Sequence, residues 1–237
     1  MVDTTLKSLF RSYDTHISHA HIITVKGHTA SEQYALRCAQ SCDQVGQPWR
    51  TWYAYDGTQE GEIKPPNHMI NCSFMRMIKI MDNYLTKAEV ACALSHISLW
   101  AHCVITDKPV IVLEHDAIML KPMREFPGHN TIVYLGGSEW AELKWPIMHV
   151  PLHGSDGPNK HFICRAHAYA IEPVVAKNML AHVLKMGIYA SLDEMISADL
   201  YNISHVGCVA YDKAGETTIR NRPKDGRHTL KNDQLLW

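Results

Sequence analysis

The sequence has no long apolar run, no excess of charge of either sign, no paired-cysteine motif and no internal repeat or low-complexity tract. Its 23 Lys and Arg nearly balance 24 Asp and Glu, for a formal net charge of −1 and a pI near 7.0. That balance argues against a generally basic nucleic-acid binder. Charged residues make up only 20% and hydrophobic ones 46%, so the composition is that of a chain with a sizeable core rather than a disordered one. Every apolar run falls well short of the roughly 20 residues a membrane-spanning helix needs. The N-terminus shows no charged start followed by an apolar stretch, so no signal peptide is expected. The seven cysteines (Cys38, Cys42, Cys72, Cys92, Cys103, Cys164, Cys208) form no CxxC pair and cannot all pair with one another, which points to a reducing, cytoplasmic setting. Cys92 and Cys103 fall inside helical apolar patterns and read as small core residues.

What is present is an alternation of short apolar strands and amphipathic helices. "HAHIITVKG" (19–27) predicts a strand, "TASEQYALRCAQSCDQVG" (29–46) a helix stopped by Gly46, and "WRTWYAYDG" (49–57) a second strand closed by Asp-Gly. This spacing predicts a βαβ unit with parallel strands. After a loop containing Pro65-Pro66, Thr86 and Glu89 have the spacing of a capping box that opens a helix to about Thr106. "PVIVLE" (109–114) then reads as a buried parallel strand and "TIVYLGG" (131–137) as another. "FICRAHAYAIEP" (162–173) predicts a strand before a helix ending near Met186, Ser191 with Glu194 a second capping box, and "NISHVGCVAYD" a last strand. The length favours one α/β domain over residues 1–237. Residues 1–18 form an N-terminal docking segment, with Leu6, Leu9, Phe10 and Tyr13 at helical spacing; residues 213–237 form a basic tail. That tail, with Arg220, Arg222, Lys224, Arg227 and Lys231, is either a solvated surface or a patch that meets phosphate.

The sharpest feature is Glu114-His115-Asp116, placed directly after the most hydrophobic strand. Ligands of open α/β sheets collect outside the carboxyl ends of the strands. In an extended segment Glu114 and Asp116 point to the same side, and two such carboxylates are most easily ionised together beside a cation. A hard ion such as Mg²⁺ or Mn²⁺ suits those oxygen ligands and bridges carboxylates to substrate phosphates. The competing reading is a chain that leaves the sheet and solvates its charges.

The surrounding string, "LTKAEVACALSHISLWAHCVITDKPVIVLEHDAIML" (85–120), resembles the core signature of glycosyltransferase family 25, with "LT", Glu89, "CALSH" and the Glu114/Asp116 pair in register. "AYDG" (54–57), "AHAYAIEPVVAKNML" (166–180) and "SLDEMI" (191–196) are similar to further parts of that family's pattern. The resemblance implies a GT-A fold, a Rossmann-like mixed sheet flanked by helices, with a nucleotide-sugar donor, usually a UDP-sugar, and a Mn²⁺ or Mg²⁺ ion. Glu114 and Asp116 match acids of the family's motif, while His115 replaces its middle aspartate and lowers the local negative charge. The acceptor implied is a saccharide such as a lipopolysaccharide core. A hydroxymethylated base in phage DNA and an inactive sugar-nucleotide binder or scaffold are the alternatives.

Asp193 matches a later aspartate of the family and is the candidate general base for the acceptor hydroxyl, or else a residue that positions the donor sugar. Ser95 and His96 precede the acidic strand; His96 is placed to bond a donor phosphate or orient Asp116, or to tie helix to strand as a core histidine. Asp56 reads either as a nucleotide contact or as a turn aspartate. Arg220, in the basic tail, is a further candidate for the donor diphosphate. Gly136-Gly137 leaves room for a sugar near the backbone. His16, His19 and His21 cluster but lack a fourth zinc ligand.

Overall fold

The computed structural model describes residues 16–58, 62–66, 74–81, 85–126, 130–138, 163 and 166–212. The N-terminal segment around Leu6–Tyr13 and the basic tail with Arg220 lie outside the described residues.

A seven-stranded mixed sheet in the order β2-β1-β3-β6-β5-β7-β4 organises the chain. Its strands are β1 (Ala20–Thr24), β2 (Trp49–Tyr53), β3 (Val110–Glu114), β4 (Ala117–Met119), β5 (Ile132–Ser138), β6 (Ala168–Ile171) and β7 (Ile203–Asp212). Among the described residues four α-helices accompany them: α1 (Thr29–Val45), α2 (Lys87–Thr106), α3 (Pro173–Met186) and the single turn α4 (Leu192–Met195). β1 pairs in parallel with both β2 and β3, as the βαβ spacing predicts. β5 runs in the same sense but is separated from β3 by β6, which is antiparallel to both. β7 is parallel to β5, and the short β4 closes the far edge antiparallel to β7.

Local sequence explains where the helices begin and end. His28 caps α1 through Nδ1, which accepts from the Ser31 amide at 3.2 Å, and Gly46 ends it in the left-handed conformation with φ 69°. At α2 the capping box forms as expected: Thr86 Oγ1 accepts from the Glu89 amide at 3.2 Å and Glu89 Oε2 accepts from the Thr86 amide at 2.8 Å. The second box does not form. Ser191 makes no capping hydrogen bond, and α4 lasts a single turn in which Glu194 is exposed.

Neighbouring strand residues face opposite sides of the sheet, and each side has its own core. Ile22, Ile111 and Leu113 pack with Cys38, Ala39 and Cys42 of α1. Ile23, Val110 and Val112 pack on the other face with α2 and α3. α2 is apolar enough over its 20 residues to cross a membrane, but 72% of its apolar window is buried in this fold, where it serves as the central helix. Because α1 and α2 cover opposite faces, β1 and β3 are adjacent strands whose connections diverge, and a crevice opens at their carboxyl ends.

The chain does not stay extended beyond β3. His115 and Asp116 form a turn into β4, so the alternation that would align Glu114 with Asp116 ends at Glu114. Gly136 is also not an open space: a Cβ there would stand 2.5 Å from both His167 Cε1 and Tyr134 Oη. Of the clustered histidines, His16 is exposed, while His21 is buried between Trp52 and His102 with ring centroids at 5.7 and 5.2 Å.

Two outcomes follow from this packing. A Cβ on Gly57 would lie 2.4 Å from the Lys87 carbonyl oxygen and 2.8 Å from Ala91 Cβ, so Gly57→Ala must push the 54–58 segment off α2. A loss of about 1–3 kcal/mol in denaturant unfolding is expected, and an unchanged midpoint would show that the segment yields freely. For His21, burial first, then the charges of His102, His19 and Arg50, pull its pKa from 6.5 to about 3. Between those values the unfolded chain binds a proton that the folded chain does not, so stability falls as pH drops below 6.5. At pH 5 the cost is about 2 kcal/mol. His21→Phe should therefore show a shallower fall in Tm between pH 7 and pH 5 than the parent, and equal slopes would assign the acid loss to other groups.

Candidate active site

The crevice at the carboxyl ends of β1, β2 and β3 is the candidate site. Its walls are Ile23 of β1 and Val25 just beyond it, Ala54, Tyr55, Gly57 and Thr58 after β2, Glu114 at the end of β3 with His115 and Asp116 after it, and the face of α2 that carries Ala88, Ala91, Cys92, Ser95 and His96. Ser95 fixes one wall: its Oγ donates to the Ala91 carbonyl at 2.6 Å and accepts from the Tyr55 amide at 2.9 Å, holding the strand end against the helix. Asp56 is not in the wall. Its Oδ1 accepts from the Thr58 amide at 2.9 Å and from the Thr58 hydroxyl at 2.6 Å, the bonding of a turn aspartate.

Glu114 is reached through a buried chain of polar groups. Trp100 Nε1 donates to Tyr169 Oη at 2.9 Å, Tyr169 Oη lies 2.8 Å from His96 Nδ1, and His96 Nε2 lies 3.4 Å from Glu114 Oε1. Burial raises the Tyr169 pKa well above that of an ordinary phenol, so the hydroxyl keeps its proton and offers it to Nδ1. The other ring nitrogen of His96, Nε2, faces the carboxylate. Burial pushes the Glu114 carboxyl upward, but the His96 contact and the charges of His96, His115 and His167 outweigh it and hold the group below the usual carboxylate range. With 26% of its side chain exposed, Glu114 is ionised and open to the cleft. His96 itself is fully buried and acts on Glu114 rather than Asp116.

His115 and Asp116 are both buried at the turn. The His115 ring stacks on Tyr34 at 5.7 Å with an interplanar angle of 21°, and its Nδ1 lies 3.3 Å from Ser31 Oγ, which also accepts from the Val25 amide at 3.0 Å. One serine on α1 thus joins the loop after β1 to the acidic turn after β3. Asp193 is half-buried on α4 and does not line the cleft; its Oδ1 accepts from the Ala166 amide at 2.9 Å. Its charge still acts on Cys92 in the cleft wall.

Cys92 packs against the core as the sequence reading expects, but it is only half-buried. It is not enclosed like Cys103: its Sγ lies 3.9 Å from Glu114 Oε1, facing the cleft. Among the described residues, Cys92, His96 and Glu114 form the group whose ligand atoms all converge within 4.8 Å, and the histidines at 16, 19 and 21 do not join it. The signal was available, because Cys92 and His96 are four apart and share a helix face. Tyr169 and Trp100 carried no such signal, since only the pairing of β3 with β6 brings them to His96.

Comparison with known proteins bears on what this cleft does. No curated protein matches the chain. The profile of glycosyltransferase family 25 (LPS biosynthesis protein) matches residues 36–145, a span that holds most of α1, all of α2 and the acidic turn. The "CALSH" and Glu114/Asp116 signature lies inside that span, so the region that builds the carboxylate wall of the cleft is the part of the chain that is similar to glycosyltransferase family 25.

Proposed function

We propose that this protein transfers a sugar from a nucleotide-sugar, in the first place a UDP-sugar, to a hydroxyl of a saccharide acceptor of the lipopolysaccharide-core kind, as a single GT-A-type domain working in the cytoplasm. The observation that carries the reading is the position of the cleft: it opens at the carboxyl ends of diverging parallel strands, and Glu114 and Asp116 share its wall. The donor set fits a hard divalent ion, Mn²⁺ or Mg²⁺, because both acids present oxygen and His96 and His115 keep Glu114 ionised. Bound there, such an ion would neutralise charge on the leaving diphosphate.

The chain's own residues divide the remaining work. Glu114 and Asp116 would hold the ion, His96 orients Glu114, and Ser95 fixes the 54–58 segment against α2. Asp193 takes the proton of the acceptor hydroxyl. In support, it is a carboxylate outside the ion's pair whose charge reaches the cleft at Cys92, and one of its oxygens is anchored by the Ala166 amide.

Two substitutions test these roles. Asp116→Asn should keep the fold and remove the Mn²⁺-dependent thermal stabilisation by UDP, expected at about 2–4 kcal/mol with saturating ligand. A variant that retains the full shift would refute the ion assignment. Asp193→Asn can still accept the Ala166 amide, so stability should hold while kcat falls by about 10²–10⁴ and donor affinity changes little. If the variant instead loses UDP-sugar binding, Asp193 positions the donor. Glu194→Gln, at an exposed neighbour, is the control and should leave activity intact.

A further inference from the structure

We propose that Cys92, His96 and Glu114 form a binding site for a borderline-soft divalent cation, Zn²⁺ in the first place, with its open coordination position turned to the cleft. The separations support it. His96 Nε2 lies 3.4 Å and Cys92 Sγ 3.9 Å from the same Glu114 oxygen, and the three atoms are mutually within 4.8 Å. Around a tetrahedral zinc, with arms of roughly 2.0 Å to nitrogen and oxygen and 2.3 Å to sulfur, such atoms stand about 3.3–3.6 Å apart. The two edges to Glu114 are close to that, and the Cys92–His96 edge lies within 4.8 Å. Three protein ligands with one side open is the arrangement of zinc sites that keep an exchangeable position.

The mixed donor set chooses the ion. A thiolate and an imidazole beside a carboxylate suit zinc or cobalt rather than magnesium or manganese. Cys92 and His96 are one helical turn apart on α2, so two ligands are set by a rigid element. The outer shell is also present: His96 Nδ1 meets Tyr169 Oη at 2.8 Å, and Trp100 Nε1 meets the same oxygen at 2.9 Å. With Nε2 on the ion, the ring proton moves to Nδ1 and is accepted by Tyr169 Oη, which fixes the ring.

Charge completes the case. The carboxylates of Glu114, Asp193, Asp116 and Glu89 surround Cys92 with negative charge. The same negative surroundings favour a divalent cation, and on binding the Sγ–H bond breaks, Sγ–metal forms and the proton leaves to solvent. This site does not depend on the glycosyltransferase reading, and it uses Glu114 Oε1 on the side of α2, whereas the hard-ion reading pairs Glu114 with Asp116.

The test is cobalt substitution in the full chain after chelator treatment. Co²⁺ should give a saturable thiolate-to-cobalt charge-transfer band in the near ultraviolet and tetrahedral d–d bands in the visible, both removed by Zn²⁺. Cys92→Ser and Cys92→Ala should abolish the thiolate band, Cys103→Ala should retain it, and Tyr169→Phe should weaken Co²⁺ binding about 10–100-fold. Circular dichroism on each variant separates loss of ligand from loss of fold, and the serine variant keeps the side-chain volume if alanine unfolds. Asp116→Asn should keep the cobalt bands even where it abolishes the Mn²⁺-dependent response to UDP, so the two ion readings fail separately. No thiolate band in the folded parent, or one that survives loss of Cys92, would overturn the proposal.

Discussion

The imidazole of His96 lies at the junction of α2, β3 and β6, out of contact with solvent, and its two nitrogens answer to different strands. Tyr169 of β6 meets one and Glu114 of β3 the other. A buried polar group of this kind is costly unless its partners are present, and the chain from Trp100 through Tyr169 and His96 to Glu114 supplies them in sequence. Removing the Tyr169 hydroxyl would leave both the Trp100 N–H and His96 Nδ1 without that partner, at a cost of about 1–3 kcal/mol for each buried group. The central helix, the acidic strand and the antiparallel strand are therefore locked at one point, and that point is the wall of the cleft.

The same arrangement accounts for acids at the end of the most hydrophobic strand. Burial alone would drive Glu114 toward its neutral form, and three imidazoles reverse this, two from flanking turns and one from α2. Histidine is suited to the task because it carries partial positive character into a confined site without the length of lysine or arginine. His115 has a further restraint, since Tyr34 and Ser31 fix its ring from α1. The turn is thus held from both faces of the sheet, by one helix on each side.

Much of the first half was legible because its determinants are local. Alternation, the Gly46 stop and the Thr86/Glu89 box lie within a few residues of the structures they specify, and β1, α1, β2, α2 and β3 appear where the sequence predicts them. The parts that were not legible depend on partners distant in the chain. β4 has three residues, too few to show a period, and is a strand only because β7 pairs with it. The interposition of antiparallel β6 between β3 and β5 follows from tertiary packing, and with it the position of Tyr169. Gly136 reads as open backbone in sequence, but the space beside it belongs to His167 and Tyr134. At Ser191 the cap signal was present, yet its side chain makes no capping bond and the helix lasts one turn.

Among the described residues, those lining the cleft fall between Ile23 and Asp116, whereas β5, β6, α3 and β7 follow later in the chain. Among the described residues, the later half reaches the site at the Tyr169 hydroxyl, at His167 beside Glu114, and at Asp193, whose charge acts on Cys92. In evolutionary terms this is a division of labour. Substitutions after β4 can reshape what approaches the mouth of the site while leaving its inner surface unchanged, provided those points are kept. A change of partner substrate can then be reached in this fold without first dismantling the machinery that serves it.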